Sequence, residues 1–154
     1  MTHTLGLYPV AMVAPSKQHQ AKRDDSISYQ SRFYGAFWGM FIADALAMPV
    51  HWYYDREMLR RDYGYVTGYL APRNPHPESI LFRSKWTPPR PDVDILGDQA
   101  RYWGKPAVHY HQNLLAGENT LNLKLAAELT AFISQRGDFD AQGWIERYVA
   151  YMTA

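Results

Sequence analysis

Between His109 and Thr120 the chain reads HYHQNLLAGENT, a stretch crowded with groups that bind protons, metals or hydroxyls. His109 and His111 stand two apart, so an extended segment would turn both imidazoles to one face, where they could chelate a metal or bracket a substrate. Glu118, Asn119 and Thr120 offer oxygens within one tight turn. That is the donor type a hard cation such as magnesium takes, in near-octahedral geometry at about 2.0–2.1 Å. The competing reading is a helix cap, with Asn119 or Thr120 closing the first turn of the helix that follows. The positive end of that helix favours Glu118 but opposes a cation. On spacing alone both readings stand.

Two further candidates lie upstream. Asp44 is flanked by Phe41, Ile42, Ala43, Ala45 and Leu46, so it belongs to an apolar helix rather than a solvated face. A carboxylate buried there must be hydrogen-bonded, paired or metal-bound, or else neutral. A tyrosine hydroxyl or an arginine could satisfy it without any functional role. His51, in MPVHWYYD, would project from the end of the same helix into whatever the next loop covers, or simply bond a backbone carbonyl. The chain has no GxGxxG after a strand, no Walker-type glycine-lysine loop, no GxSxG elbow and no HExxH. The common nucleotide-binding and serine-hydrolase readings therefore lose weight.

The elements that must position these residues are helical. The spacing predicts a helix from about Ile27 to Met48, stopped by Pro49, with Gly35, Gly39, Ala43 and Ala47 recurring every fourth position among Phe33, Phe37, Met40, Phe41 and Leu46. We expect this helix to be buried on most sides. A membrane span is the rival, but Asp44 near its middle would cost roughly 2.5–3.5 kcal/mol there, and the flanks show no basic asymmetry. A short helix should follow from Asp55 to Gly64, then a long loop from about Val66 to Pro106, where prolines at 72, 75, 77, 88, 89 and 91 forbid regular structure. Tyr69, Phe82, Trp86 and Trp103 are expected to anchor it. Leu121, Leu125, Leu129, Phe132 and Ile133 mark a helix to about Gln135 with Gly137 breaking it, and Trp144, Ile145, Tyr148, Val149 and Met152 mark a last one. No strand pattern and no internal repeat is legible.

Composition bounds the function. At 154 residues, 47% hydrophobic and 20% charged, the chain suits a soluble globular protein with one core. Sixteen basic against 15 acidic side chains leave no electrostatic footprint for nucleic acid or an anionic membrane, so neither is expected as a partner. There is no cysteine, which excludes disulfides and thiolate chemistry and fits a reducing, cytoplasmic location. Residues 1–28 read as a poorly ordered extension, and 29–154 as the helical domain.

Two stretches together resemble the ADP-ribosylglycohydrolase family. YGAFWGMFIADALAMPVH is similar to its glycine-spaced first helix, whose pattern continues Gly-Asp-Ala-Leu-Gly, one residue, Pro, one residue, Glu. GENTLNLKLAAELTAFI falls where that family has Thr-Asp-Asp-Thr opening a leucine- and alanine-rich helix, and GDFDAQGWIERYVAYM resembles the segment that follows. The resemblance implies an all-α helical bundle that holds two magnesium ions in a central cleft and hydrolyses the bond joining ADP-ribose to a protein side chain or related acceptor. Carried over, Asp44 occupies the aspartate of the helix motif and Thr120 the second threonine of the metal turn. Gly117 replaces the first threonine, Glu118 and Asn119 the two aspartates, and His51 the glutamate near the reaction centre.

The implied roles are catalytic for Asp44, His51 and Glu118, substrate-binding for His109, His111 and Asn119, and magnesium-binding for Glu118, Asn119 and Thr120. A small-molecule or ADP-ribosylated substrate is the expected partner. The family closes its metal site with a later Asp-rich turn, so the chain is expected to be an N-terminal portion, inactive by itself. The alternative is a non-catalytic ADP-ribose- or nucleotide-binding module of the same fold.

Overall fold

The computed structural model describes residues 27–154, and every regular element in them is helical. Four α-helices carry the architecture: α1 at Tyr29–Ala47, α2 at Arg56–Tyr63, α3 at Leu121–Arg136 and α4 at Ala141–Met152. The extension expected over residues 1–28 falls outside the described residues as far as residue 26.

Three of the four helices, α1, α2 and α4, begin where a side chain accepts their orphan N–H groups. Ser28 accepts from the Ser31 N–H at 3.1 Å, so α1 starts two residues later than its apolar pattern. Asp55 accepts from Glu57 and Met58 N–H groups at 2.8 and 3.2 Å, and Asp140 from Gln142 N–H at 3.2 Å. Gly137 ends α3 with φ +77°, a left-handed conformation that a residue without Cβ takes at little cost. Pro49 lies in a 3-10 turn, Met48–Val50, which continues α1 by about one turn before His51 leaves it.

Burial departs from the expectation for α1. Every residue from Tyr29 to Ala36 is exposed, and only 17% of the apolar segment Tyr29–Val50 is buried. By length and composition that segment, 22 residues of mean hydropathy 1.3, could cross a membrane. Its C-terminal end is nonetheless fixed to protein: Ala45, Met48 and Pro49 are buried, and Pro49 O and Phe41 O accept hydrogen bonds from His109 and Asn119. The helix is thus packed at one end and open at the other. Nothing among the described residues lies within 4 Å of a Cβ added at Gly35 or Gly39, so the small-residue stripe has no close neighbour here.

The long loop is irregular as its prolines require, with 3-10 turns at Leu81–Arg83, Pro91–Val93 and Gly97–Tyr102. Of its four expected anchors only Trp103 is drawn in, half-buried with its indole Nε1 enclosed. Tyr69, Phe82 and Trp86 stay well exposed, while His76, Ser79 and Leu81 are buried. The backbone accounts for this: His76 N–H donates to Ala107 O at 2.8 Å, and Leu81 N–H to Ser79 Oγ at 3.2 Å. Those bonds draw one short segment inward and leave the aromatic rings on its rim.

The last two helices pair through Phe132 and Trp144, whose rings lie 5.9 Å apart, and through Arg147, which donates to Glu128 at 2.9 Å and to Gln135 at 3.0 Å. Gly143 sits in this seam: a Cβ there would lie 2.7 Å from Asp140 Oδ2 and 3.2 Å from Phe132. Gly143→Ala should therefore push the capping carboxylate off α4 and cost about 1–2 kcal/mol. Gly39→Ala, which meets nothing, should gain up to about 1 kcal/mol in helix propensity. Urea unfolding of the two variants checks the contrast.

Candidate functional site

The C-terminal end of α1 meets the turn before α3. Asp44 points across this junction and accepts three hydrogen bonds: from Thr120 N–H at 2.7 Å, from Thr120 Oγ1 at 2.8 Å and from Asn119 Nδ2 at 3.0 Å. The Asn119 amide also donates to Phe41 O at 2.7 Å, bridging the backbone and side chain of one helix. Neither a tyrosine nor an arginine satisfies Asp44; the polar turn does. Thr120 occupies the N-cap position of α3, but its hydroxyl donates to Asp44 instead of accepting from the helix. The negative charge that complements the positive end of α3 is therefore supplied by another helix.

The family of these two segments follows from their sequence. The protein-family model described as ADP-ribosylglycohydrolase matches residues 25–154. This chain belongs to the ADP-ribosylglycohydrolase family. No curated protein and no solved structure gives a match. Membership and the all-helical fold agree with each other, and the family's two signature segments are the ones that meet at Asp44.

Around this contact stand the histidines. His111 lies beside His51, with His51 Nδ1 3.2 Å from His111 Nε2 and the rings stacked at 17°. Two imidazole nitrogens at that distance share one proton, one donating and the other accepting. His109 is fully buried and serves as a brace rather than a ligand. Its Nε2 donates to Pro49 O at 3.0 Å, its Nδ1 accepts from His111 N–H at 3.0 Å, and its own N–H donates to Asn74 Oδ1 at 2.7 Å. Both ring nitrogens are occupied. The expected pair His109 and His111 therefore does not share a free face; His111 pairs with His51 instead.

Burial pushes His109 down to about 4; the carbonyl partner at Pro49 opposes it, and the neighbouring histidines add to the fall. Burial likewise pushes His111 down to about 4, with His51 adding to the effect and Asp44 opposing it. At neutral pH both rings are uncharged.

Glu118 is the expected site residue that the structure turns away. Its carboxylate accepts from Leu115 N–H at 2.6 Å and from Lys124 Nζ at 3.3 Å, and these two donors, the backbone first, hold it below the usual carboxylate range. It closes its own loop and pairs with a lysine of α3, so it neither joins Asp44 nor faces the histidines. Magnesium fits this donor set poorly. Asp44 is the one carboxylate at the junction and already accepts three hydrogen bonds, Asn119 presents its amide N–H to Asp44, and Lys124 is close by. Among the described residues no group of three or more His, Cys, Asp or Glu side chains could hold a metal.

Three participants escape a reading of the sequence. His76 is fully buried and stacks on Tyr53 at 4.3 Å, its Nε2 donates to Trp52 O at 3.3 Å, and its Nδ1 has no partner. Trp52 is held left-handed at φ 75°, a conformation that costs a non-glycine residue roughly 1–3 kcal/mol and that here directs its ring onto His51 and Tyr110. Asn74 receives His109. The only signal for these was a histidine and an asparagine set between prolines, in NPHPES. An open groove of about 910 Å³ runs beside His111, lined by Trp86, Trp103, Tyr110, Leu121, Lys124 and Tyr151 among others.

Two expectations follow. Asn119→Asp would set a second carboxylate about 3 Å from Asp44, where both cannot stay ionised, and should cost about 2–4 kcal/mol at pH 7.5, less below pH 5. Unfolding across pH checks it. In the parent chain, His109 and His111 are depressed in the folded state, so the unfolded chain takes up protons first as pH falls below about 6.5. Stability should be full above that pH and decline toward pH 4, by on the order of 1–3 kcal/mol, and His109→Gln should flatten that slope if it folds.

Proposed function

We propose that this chain recognises an ADP-ribosyl ligand and that, acting by itself, it does not hydrolyse the glycosidic bond. Family membership supplies the ligand class. One observation carries the second half of the reading: every acidic group of the expected site is engaged. Asp44 is committed to Thr120 and Asn119, and Glu118 to Leu115 and Lys124. General-base hydrolysis needs a carboxylate aimed at the attacking water. Here both carboxylates are aimed at protein donors instead, Asp44 at three of them and Glu118 at two.

What remains suits binding. The His51–His111 pair offers imidazole nitrogens to hydroxyl groups, and the aromatic groove beside His111, about 910 Å³, falls within the roughly 300–1,000 Å³ range of small-molecule sites. The hydrolytic reaction of the family, cleavage of a ribosyl bond, would require a longer form of the protein in which a free carboxylate joins this junction. Magnesium has no role in the proposal for the chain as it stands. The ligand would be a soluble, cytoplasmic ADP-ribosyl compound.

Calorimetry with ADP-ribose, with and without magnesium, tests this reading alongside a hydrolysis assay on an ADP-ribosylated substrate. Binding that is independent of magnesium and weakened about tenfold or more by His51→Ala is the expected result, with no turnover. Hydrolysis by the isolated chain, abolished in Asp44→Ala, would overturn it.

A further inference from the structure

The His51–His111 pair has a geometry that the ribosyl reading does not use. Two imidazole nitrogens bound to one zinc ion, each at about 2.0–2.1 Å and at the tetrahedral angle, lie about 3.3–3.4 Å from each other. His51 Nδ1 and His111 Nε2 are 3.2 Å apart. We propose that this pair is a binding site for a divalent transition-metal ion of the zinc class, which enters once the donating ring moves its proton to its other nitrogen, so that both rings stay neutral and each turns a lone pair to the ion.

Several features of the surrounding structure favour this. The rings come from separate parts of the chain, 60 residues apart, and both are held before any ion arrives. The Trp52 ring lies tilted against His51 at 5.3 Å, and the buried His109 accepts the His111 N–H, fixing the backbone from which that ring projects. Such support from outside the ligand set orients metal-binding imidazoles. His51 is exposed, so one side of the pair is open and solvent or a ligand oxygen can complete the coordination. The negative charge nearest His111 is Asp44, which favours a cation without being a ligand, because its oxygens are taken by Thr120 and Asn119. Imidazole suits zinc, copper and nickel and serves magnesium poorly, so the site is distinct in chemistry from any oxygen site at the turn before α3. With two protein nitrogens it is an open site of modest affinity, not a closed structural one. The proposal requires neither ADP-ribose nor hydrolysis.

Calorimetric titration of the full chain with zinc chloride, and separately with magnesium chloride, tests it. His3 and His19 lie outside the described residues and could bind zinc adventitiously, so the parent for the experiment is the His3→Gln/His19→Gln chain. One zinc per chain is expected, with no heat from magnesium. His51→Gln and His111→Gln should each weaken zinc binding by roughly tenfold or more, while circular dichroism shows the helices unchanged in the exposed His51 variant. Failure of the parent to bind zinc would overturn the proposal. So would undiminished binding in His51→Gln, whatever His111→Gln does. A loss of ADP-ribose binding with zinc binding intact would count against the ribosyl reading alone.

Discussion

The carboxylate of Asp44 joins two helices whose contacting residues are 75 and 76 positions apart in the chain. It sits on an apolar helix, where an unpartnered charge would be costly. The partners it finds are a backbone N–H, a hydroxyl and a side-chain amide, all donors, arranged within two consecutive residues. That donor set explains why the turn carries Asn119 and Thr120. A second carboxylate in place of Asn119 would need a cation between the two acids, whereas the amide donates directly and reaches Phe41 O as well. The contact settles the ambiguity of the polar turn, because the same residues that open α3 also hold the acid of α1.

From that junction the remaining site is assembled by a second buried polar group. His109 ties the end of α1, through Pro49 O, to the long loop, through Asn74, and to the backbone of His111. The buried residues among those described include four polar ones, His76, Ser79, His109 and Thr120, beside a small apolar set. A centre so rich in hydrogen-bonding groups gives up packing energy for fixed geometry, since each group must be satisfied in one arrangement. It leaves the first half of α1 uncovered, and the exposed aromatic rings there contribute nothing to holding the site.

Local chemistry made much of this legible beforehand. Capping residues and glycines placed the ends of α2 and α3 within a residue or so, because a cap depends on its own few neighbours. Prolines correctly denied regular structure to the long loop. The expectation that α1 is buried failed, since apolar character sets the tendency of a face to be covered but not the presence of a covering element. Three of the loop's four aromatic anchors, Tyr69, Phe82 and Trp86, stayed outside for a related reason: ring size does not decide burial where hydrogen bonds such as those of His76 and Leu81 hold another segment inside.

The sequence by itself determined the helical class, the helix limits, the family and the candidacy of Asp44, because each rests on residue type at short or fixed spacing. Only the tertiary structure decided who faces whom. It paired His111 with His51 rather than with His109, turned Glu118 back onto Leu115 and Lys124, and brought His76, Trp52 and Asn74 into the centre. Those choices depend on distances between segments tens of residues apart and on competition for a limited number of donors. No local pattern encodes either one.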